Sequence, residues 1–100
     1  MPEEIGSRPI RVAIIGCGRV ARRHVARFRQ DPRVEIAVLC DPDRANAERL
    51  AREFGVDARI ETDESRALRR EVVDFAVLAS PTTVHHRQAM VGLTEGLDLL

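Results

Sequence analysis

Lysine, tryptophan and tyrosine are absent from the sequence, and each absence removes a chemistry. All 16 basic residues are arginine. No amine is on hand for a Schiff base, a lysine general acid or a phosphate-loop lysine. Three phenylalanines are the only aromatic rings of the Phe, Trp and Tyr class, too few for the stacking platforms that hold single-stranded nucleic acid. Charge of one sign is also lacking, since 16 acidic residues balance the 16 basic ones. A binder of nucleic acid or of an anionic membrane surface would show a basic excess. Two cysteines, Cys17 and Cys40, make neither a disulfide framework nor a zinc site. No apolar run approaches the roughly 18 residues of a membrane span, and the N-terminus carries no signal-peptide pattern. These absences predict a cytoplasmic protein with no membrane partner and no nucleic-acid partner.

What is present suits one globular domain: 100 residues, 44% of them apolar. Residues 1–9, "MPEEIGSRP", read as a polar lead-in, and the domain is expected over 10–100. "IRVAIIG" (10–16) is a β-branched run and reads as a buried strand. "RVARRHVARFRQ" (19–30) sets Val20, Ala21, His24, Val25 and Phe28 at helical spacing, and Asp31-Pro32 ends that helix. A second strand follows at 34–40 and a second helix at 41–55, with Asp41 or Asp43 as its cap and Gly55 as its stop. A short strand (58–61), a short helix (62–71), a fourth strand (72–80), a long helix (81–96) and the start of a fifth strand (97–100) complete the chain. Strict strand–helix alternation with continuous apolar strands predicts a parallel sheet covered on both faces. Right-handed crossovers make it a doubly wound α/β sheet of the Rossmann kind, in the order 3-2-1-4-5.

Three stretches carry the candidate chemistry. Gly16-Cys17-Gly18-Arg19-Val20-Ala21 matches G-x-G-x-x-G/A at a strand-to-helix turn. There Gly16 permits the turn, Gly18 lets a pyrophosphate approach the backbone, and the helix start offers free N–H groups. Ala21 is small enough for the third position. The competing reading is a plain turn that binds nothing. Asp41, 25 residues after Gly16, ends the second strand. A carboxylate there accepts hydrogen bonds from ribose hydroxyls and repels a 2′-phosphate, which favours NAD over NADP. Capping of the next helix is its other role, and Arg44 just beyond offers a partner to a 2′-phosphate. "ASPTTVHH" (79–86) leaves the fourth strand where the helices change faces, so Ser80, Pro81, Thr82 and His85 are placed near the nicotinamide end of a dinucleotide. His86 reads as structural. Cys17, His24, His85 and His86 lack zinc spacing, so no metal is expected, and Cys17 and Cys40 read as buried thiols.

Together these residues resemble the N-terminal part of the Gfo/Idh/MocA oxidoreductases (glucose-fructose oxidoreductase, inositol dehydrogenase and relatives). The resemblance runs from about Ile10 to Leu100 and rests on "VAIIGCGRVARRH", "VLCDPDRANAERLAREFG", "VVDFAVLASPTTVHHRQAM" and "GLDLL". His24 matches a histidine the family often places after its glycine loop, and Asp41 matches its ribose-binding acid. Pro81 to His85 matches a proline-asparagine-x-x-histidine segment, with Thr82 in place of asparagine. The resemblance implies an NAD(P)-dependent dehydrogenase that transfers hydride to or from a CH–OH carbon of a sugar or cyclitol. It also implies that the chain stops short of a glutamate-lysine-proline motif and of a second, catalytic domain. On that basis no catalytic residue is assigned. The 100 residues are expected to bind NAD(H) weakly or not at all on their own and to lack dehydrogenase activity. The alternatives are a non-catalytic dinucleotide-binding or redox-sensing module and, less well matched by "PTTVHH", an S-adenosylmethionine site. A homo-oligomer is compatible with the open edge of the last strand.

Overall fold

The computed structural model describes residues 8–70, 72–79 and 98–100. Five strands, β1 (Ile10–Ile15), β2 (Val34–Cys40), β3 (Arg59–Glu61), β4 (Phe75–Leu78) and β5 (Asp98–Leu99), form one sheet in the order β3-β2-β1-β4-β5. Every neighbouring pair is parallel. The strand order and direction are those expected of the doubly wound sheet. Three helices are described: α1 (Arg19–Phe28), α2 (Arg44–Phe54) and α3 (Glu64–Ala67). The expected helix over 81–96, with Ser80, Pro81, Thr82 and His85, lies outside the described residues.

Strand alternation explains why residues 12–15 of β1 and 36–40 of β2 are apolar at successive positions. Val12 and Ile14 point to one face, where Ala21 and Val25 of α1 and Ala47 and Leu50 of α2 complete the core. Ala13 and Ile15 point to the other, against Val38, Cys40, Ala67, Leu68, Val73 and Ala76. Each fully buried valine or isoleucine contributes about 1.5–3 kcal/mol relative to exposure, and a parallel sheet collects that on both faces.

The helix ends follow local chemistry. Asp43, not Asp41, caps α2, its carboxylate accepting from the Ala45 N–H at 3.1 Å. Gly55 closes α2 in the left-handed region at φ 64°, and Val56 N–H returns to the Ala51 carbonyl at 2.9 Å. Asp63 caps α3 in the same way as Asp43 caps α2.

Two elements are shorter than their sequence patterns suggest. The helix expected over 62–71 is a single turn, because Leu68 leaves helical geometry (ψ 53°) to bury its side chain. The fourth strand starts at Phe75 and not at Val72. The N–H groups of Val72 and Val73 both donate to the Arg69 carbonyl at 2.9 Å, a turn that precludes sheet pairing there. Asp74 then staples the strand bases: its N–H donates to the Arg11 carbonyl at 2.8 Å, and its carboxylate accepts from the Arg11 backbone and guanidinium.

Candidate functional site

The order β3-β2-β1-β4-β5 places the C-terminal ends of β1, β2 and β4 side by side. Ile15 pairs with Cys40 on one flank and with Leu78 on the other. Three connections therefore leave from one edge of the sheet: Gly16 onward, Asp41 onward and Ala79 onward. An open parallel sheet has its crevice here, where the chain switches direction between β1 and β4.

The first connection turns on two glycines that do different things. Gly16 adopts φ 93°, a conformation that side chains rarely take, while its N–H donates to the Cys40 carbonyl at 2.7 Å. Gly16 is required by the fold itself. Gly18 is extended (φ −93°), and a Cβ built on it would meet no atom of the described residues within 4 Å. Neither backbone strain nor packing among the described residues demands glycine at that position.

Gly18 is also the N-cap of α1, and α1 starts differently from α2 and α3. Asp43 and Asp63 cap α2 and α3 with their carboxylates, whereas no side-chain hydrogen bond caps α1. Among the described residues no side chain hydrogen-bonds to the leading N–H groups of α1 itself. Arg19 and Val20 stand exposed at this end. Val20 is 56% exposed, so it does not join the buried stripe that the helical spacing suggested; Ala21 and Val25 form that stripe.

Asp41 is tied directly to the glycine loop. One carboxylate oxygen accepts from the Cys17 N–H at 2.9 Å. The other accepts from the Asp43 N–H at 2.8 Å and from the Asn46 side-chain amide at 3.4 Å. A carboxylate has about four acceptor positions, so one remains for an outside donor. Arg44, exposed at the head of α2, is paired with Glu48 at 3.1 Å. The sequence thus brings Gly16, Cys17, Gly18, Arg19, Val20 and Asp41 together, with Arg44 on the outer face of the same edge.

Between α1 and α2 a cleft of about 380 Å³ opens beside this loop, lined by Cys17, Gly18, Arg19, Arg22, Asn46, Arg49, Leu50 and Glu53. The residues that α2 contributes escaped the motif reading. Positions 46, 49, 50 and 53 follow i, i+3, i+4, i+7 spacing, the signature of one helix face, and Leu50 marks it as the face that packs inward.

The electrostatics disfavour the thiolate form of both cysteines. Burial first, then the Asp41 carboxylate, pushes the Cys17 thiol up to about 12, and burial followed by Glu64 and Glu61 does the same to Cys40. A protonated thiol is a poor nucleophile. The Cys17 thiol instead donates to the Cys40 carbonyl at 3.4 Å. His24 stacks on Phe28 at 6.4 Å, and its buried Nδ1 has no hydrogen-bond partner. Desolvation, with Arg27 and Arg23 nearby, lowers its pKa and favours the neutral ring. Among the described residues no three His, Cys, Asp or Glu side chains gather as a metal site. No described helix is long and apolar enough to cross a membrane.

Comparison with known proteins agrees with the fold. A family model, that of an oxidoreductase family with an NAD-binding Rossmann fold, matches residues 10–100. The chain is 29% identical over 101 residues to D-glucoside 3-dehydrogenase of Escherichia coli K12, covering all of this chain and 28% of that protein. It is 29% identical over 98 residues to inositol 2-dehydrogenase 4 of Saccharopolyspora erythraea, covering 96% of this chain and 28% of the relative. The crystal structure of GenD2 from gentamicin A biosynthesis, in complex with NAD, superposes with a TM-score of 0.83 at 30% identity, over 92% of this chain and 26% of that one. The chain thus spans about a quarter of the length of the proteins it matches.

Proposed function

Because the chain belongs to the Gfo/Idh/MocA oxidoreductase family, whose NAD-binding Rossmann fold covers residues 10–100, we propose that it is the cofactor-binding part of an NAD(P)-dependent oxidoreductase acting on a CH–OH group of a sugar or cyclitol. Residues 10–100 then form the dinucleotide-binding domain, preceded by a lead-in at 1–9. The observation that carries the reading is the open space at Gly18 above an α1 start that no side chain caps. A glycine that the described residues do not need is accounted for by a group from outside approaching the backbone.

The residues fit a dinucleotide in three ways. The N–H groups of Gly18, Arg19 and Val20 at the start of α1 hold the pyrophosphate, with Cys17 shaping the loop beneath. Asp41, held 2.9 Å from the Cys17 N–H, uses its remaining acceptor position for an adenosine ribose hydroxyl. Arg44 stands at the ribose edge. Ser80, Pro81, Thr82 and His85, which lie outside the described residues, are assigned the nicotinamide end from their place after β4. When bound, the cofactor supplies the hydride acceptor or donor; these residues bind and orient it.

Around the loop, Asp41 is committed to three protein donors and the Cys17 thiol stays protonated. Neither is poised to take a hydroxyl proton from a polyol, so the 100 residues alone are expected to be inactive. The test is titration of the chain with NAD and NADH into the millimolar range, with Asp41→Asn beside it. Asn keeps one acceptor oxygen for the loop, whereas Asp41→Ala would also leave the Cys17 N–H without its partner. Saturable binding that weakens in Asp41→Asn supports the reading. Binding unaffected by that change removes the ribose assignment. Turnover of any polyol by the chain removes the expectation of inactivity.

A further inference from the structure

We propose that the arginine-lined pocket beside the edge strand β3 is an accessory site for a phosphate monoester, built by Arg59, Arg66 and Arg69 and separate from the dinucleotide crevice. The site goes beyond the proposed function and does not rest on it.

A pocket of about 430 Å³ opens there, lined among the described residues by Arg59, Arg66, Arg69 and Val72. These walls hold three guanidiniums and no carboxylate. Local structure gathers them. Arg59 opens β3, which pairs only with β2 and so stands at the edge of the sheet. Ala67 and Leu68 are buried against the sheet, while Arg66 and Arg69 on either side of them stay exposed. The N–H groups of Val72 and Val73 both donate to the Arg69 carbonyl, which fixes the turn that carries Arg69. The acids nearby are engaged. Asp63 caps α3 and accepts from the Ser65 N–H and hydroxyl at 2.9 and 2.6 Å. Glu64 heads α3, close to the Cys40 thiol. Glu61, almost fully buried, holds one nitrogen of Arg59 at 2.6 Å. A guanidinium carries five N–H donors, so that pair leaves Arg59 others to offer. Arg66 makes no ion pair among the described residues.

The pocket lies apart from the cofactor edge. Helix α3 packs on the sheet face of Ala13, Ile15 and Val38, whereas Cys17, α1 and α2 pack on the other. Glu61 ends β3 at the crevice, where its carbonyl accepts from the Asp41 N–H at 3.1 Å; Arg59 begins the same strand, away from it. Guanidinium is the side chain best suited to phosphate, through charge and through its planar fork of donors. Three of them match an oxyanion that carries more than one charge. A phosphate monoester has nearly two negative charges and three free oxygens. Both phosphates of NAD are diesters with one charge each, so NAD does not fill this pocket. Val72 is the one apolar residue among the described lining, and the volume suits a phosphate with a small polar body. An extended nucleic acid calls for a basic excess that a chain with 16 acidic and 16 basic residues lacks.

The experiment titrates the full 100-residue chain at pH 8 and low salt with glycerol 2-phosphate, inorganic phosphate and dimethyl phosphate, followed by backbone amide shifts in NMR. The first two are dianions at that pH and the third is a monoanion. The expected result is saturable shifts at Arg59, Arg66 and Arg69, with glycerol 2-phosphate bound about tenfold tighter than dimethyl phosphate. Glycerol 2-phosphate should also bind at least as tightly as inorganic phosphate; the reverse order assigns the pocket to the free ion and overturns the monoester. Arg66→Gln breaks no ion pair, so it should weaken glycerol 2-phosphate about tenfold at unchanged Tm. Arg52→Gln, on the exposed side of α2, should leave that affinity as it was. Shifts that never saturate, equal binding of dimethyl phosphate, or an affinity that survives Arg66→Gln overturns the site. Each of those results leaves the dinucleotide reading standing, since that is followed with NAD at Cys17, Gly18, Arg19 and Val20.

Discussion

Gly16 and Gly18 sit two residues apart and should respond to alanine in opposite ways. At Gly16 the backbone φ of 93° has no relaxed counterpart for an L side chain. Holding alanine there costs about 1–3 kcal/mol. For a domain of this size each kcal/mol lowers Tm by roughly 4–8 °C, so Gly16→Ala should melt clearly earlier. At Gly18 the extended backbone and the empty 4 Å around a new Cβ remove both penalties. Where the native conformation suits alanine, losing glycine's freedom in the unfolded chain stabilises by about 0.4–1 kcal/mol, so Gly18→Ala should melt at or slightly above the wild-type temperature. Its effect should fall on binding instead. A methyl group between the N–H groups of α1 and a phosphate should weaken NAD by about tenfold or more, at about 1.4 kcal/mol per factor of ten. Thermal melts with and without NAD on both variants give the comparison. Gly18→Ala melting as early as Gly16→Ala, with NAD stabilising it as in wild type, would refute the assignment of Gly18 to a ligand.

The other expectations concern the scaffold around the site. Arg11 beside Asp74 holds that carboxyl down at about 2, below its unfolded value, so its stabilisation is complete above about pH 4 and is lost as pH falls toward about 2; urea melts across that range should show the loss, and Asp74→Asn should flatten it while costing about 1–3 kcal/mol at neutral pH. His24 has a lowered pKa, so the folded state prefers the neutral ring; the stability it adds above its unfolded pKa of about 6.5 should decline as pH falls below that value, and His24→Phe should remove this dependence. Both thiols, buried and pushed up to about 12, should resist alkylation in the folded chain at pH 8 and react fully in denaturant; rapid labelling of Cys17 under native conditions would contradict its burial. Asp43→Ala should cost about 0.5–2 kcal/mol through the lost cap of α2, read as a lower Tm.

The sequence pattern revealed β1 and β2 because a doubly covered parallel sheet demands apolar residues on both faces, and nothing else on those segments competes. Helix α2 was legible from both ends, through its acidic cap and Gly55. The fourth strand was misread at its start, since Val72 and Val73 look like strand residues while their N–H groups close a turn on Arg69. Hydrophobic pattern reports burial, and Val73 is indeed buried; it does not report where an N–H donates. The same limit applies at the site. The glycine pattern marked the loop, but the different needs of Gly16 and Gly18 depend on φ and on surrounding space. Asp41 stood out from its spacing, while its bond to the Cys17 N–H joins residues 24 apart. Asn46 and Arg49 carried no motif at all; only the pairing of α1 with α2 brings them beside Arg19.

The most direct test of a dinucleotide site on this edge is an amide-resolved NMR titration of the chain with NAD. The account predicts shifts, however weak the binding, that concentrate at Cys17, Gly18, Arg19, Val20 and Asp41, fade along α1 toward Phe28 and are absent from α3. Shifts that centre on the arginine-lined surface of Arg59, Arg66 and Arg69 and spare the glycine loop would contradict it.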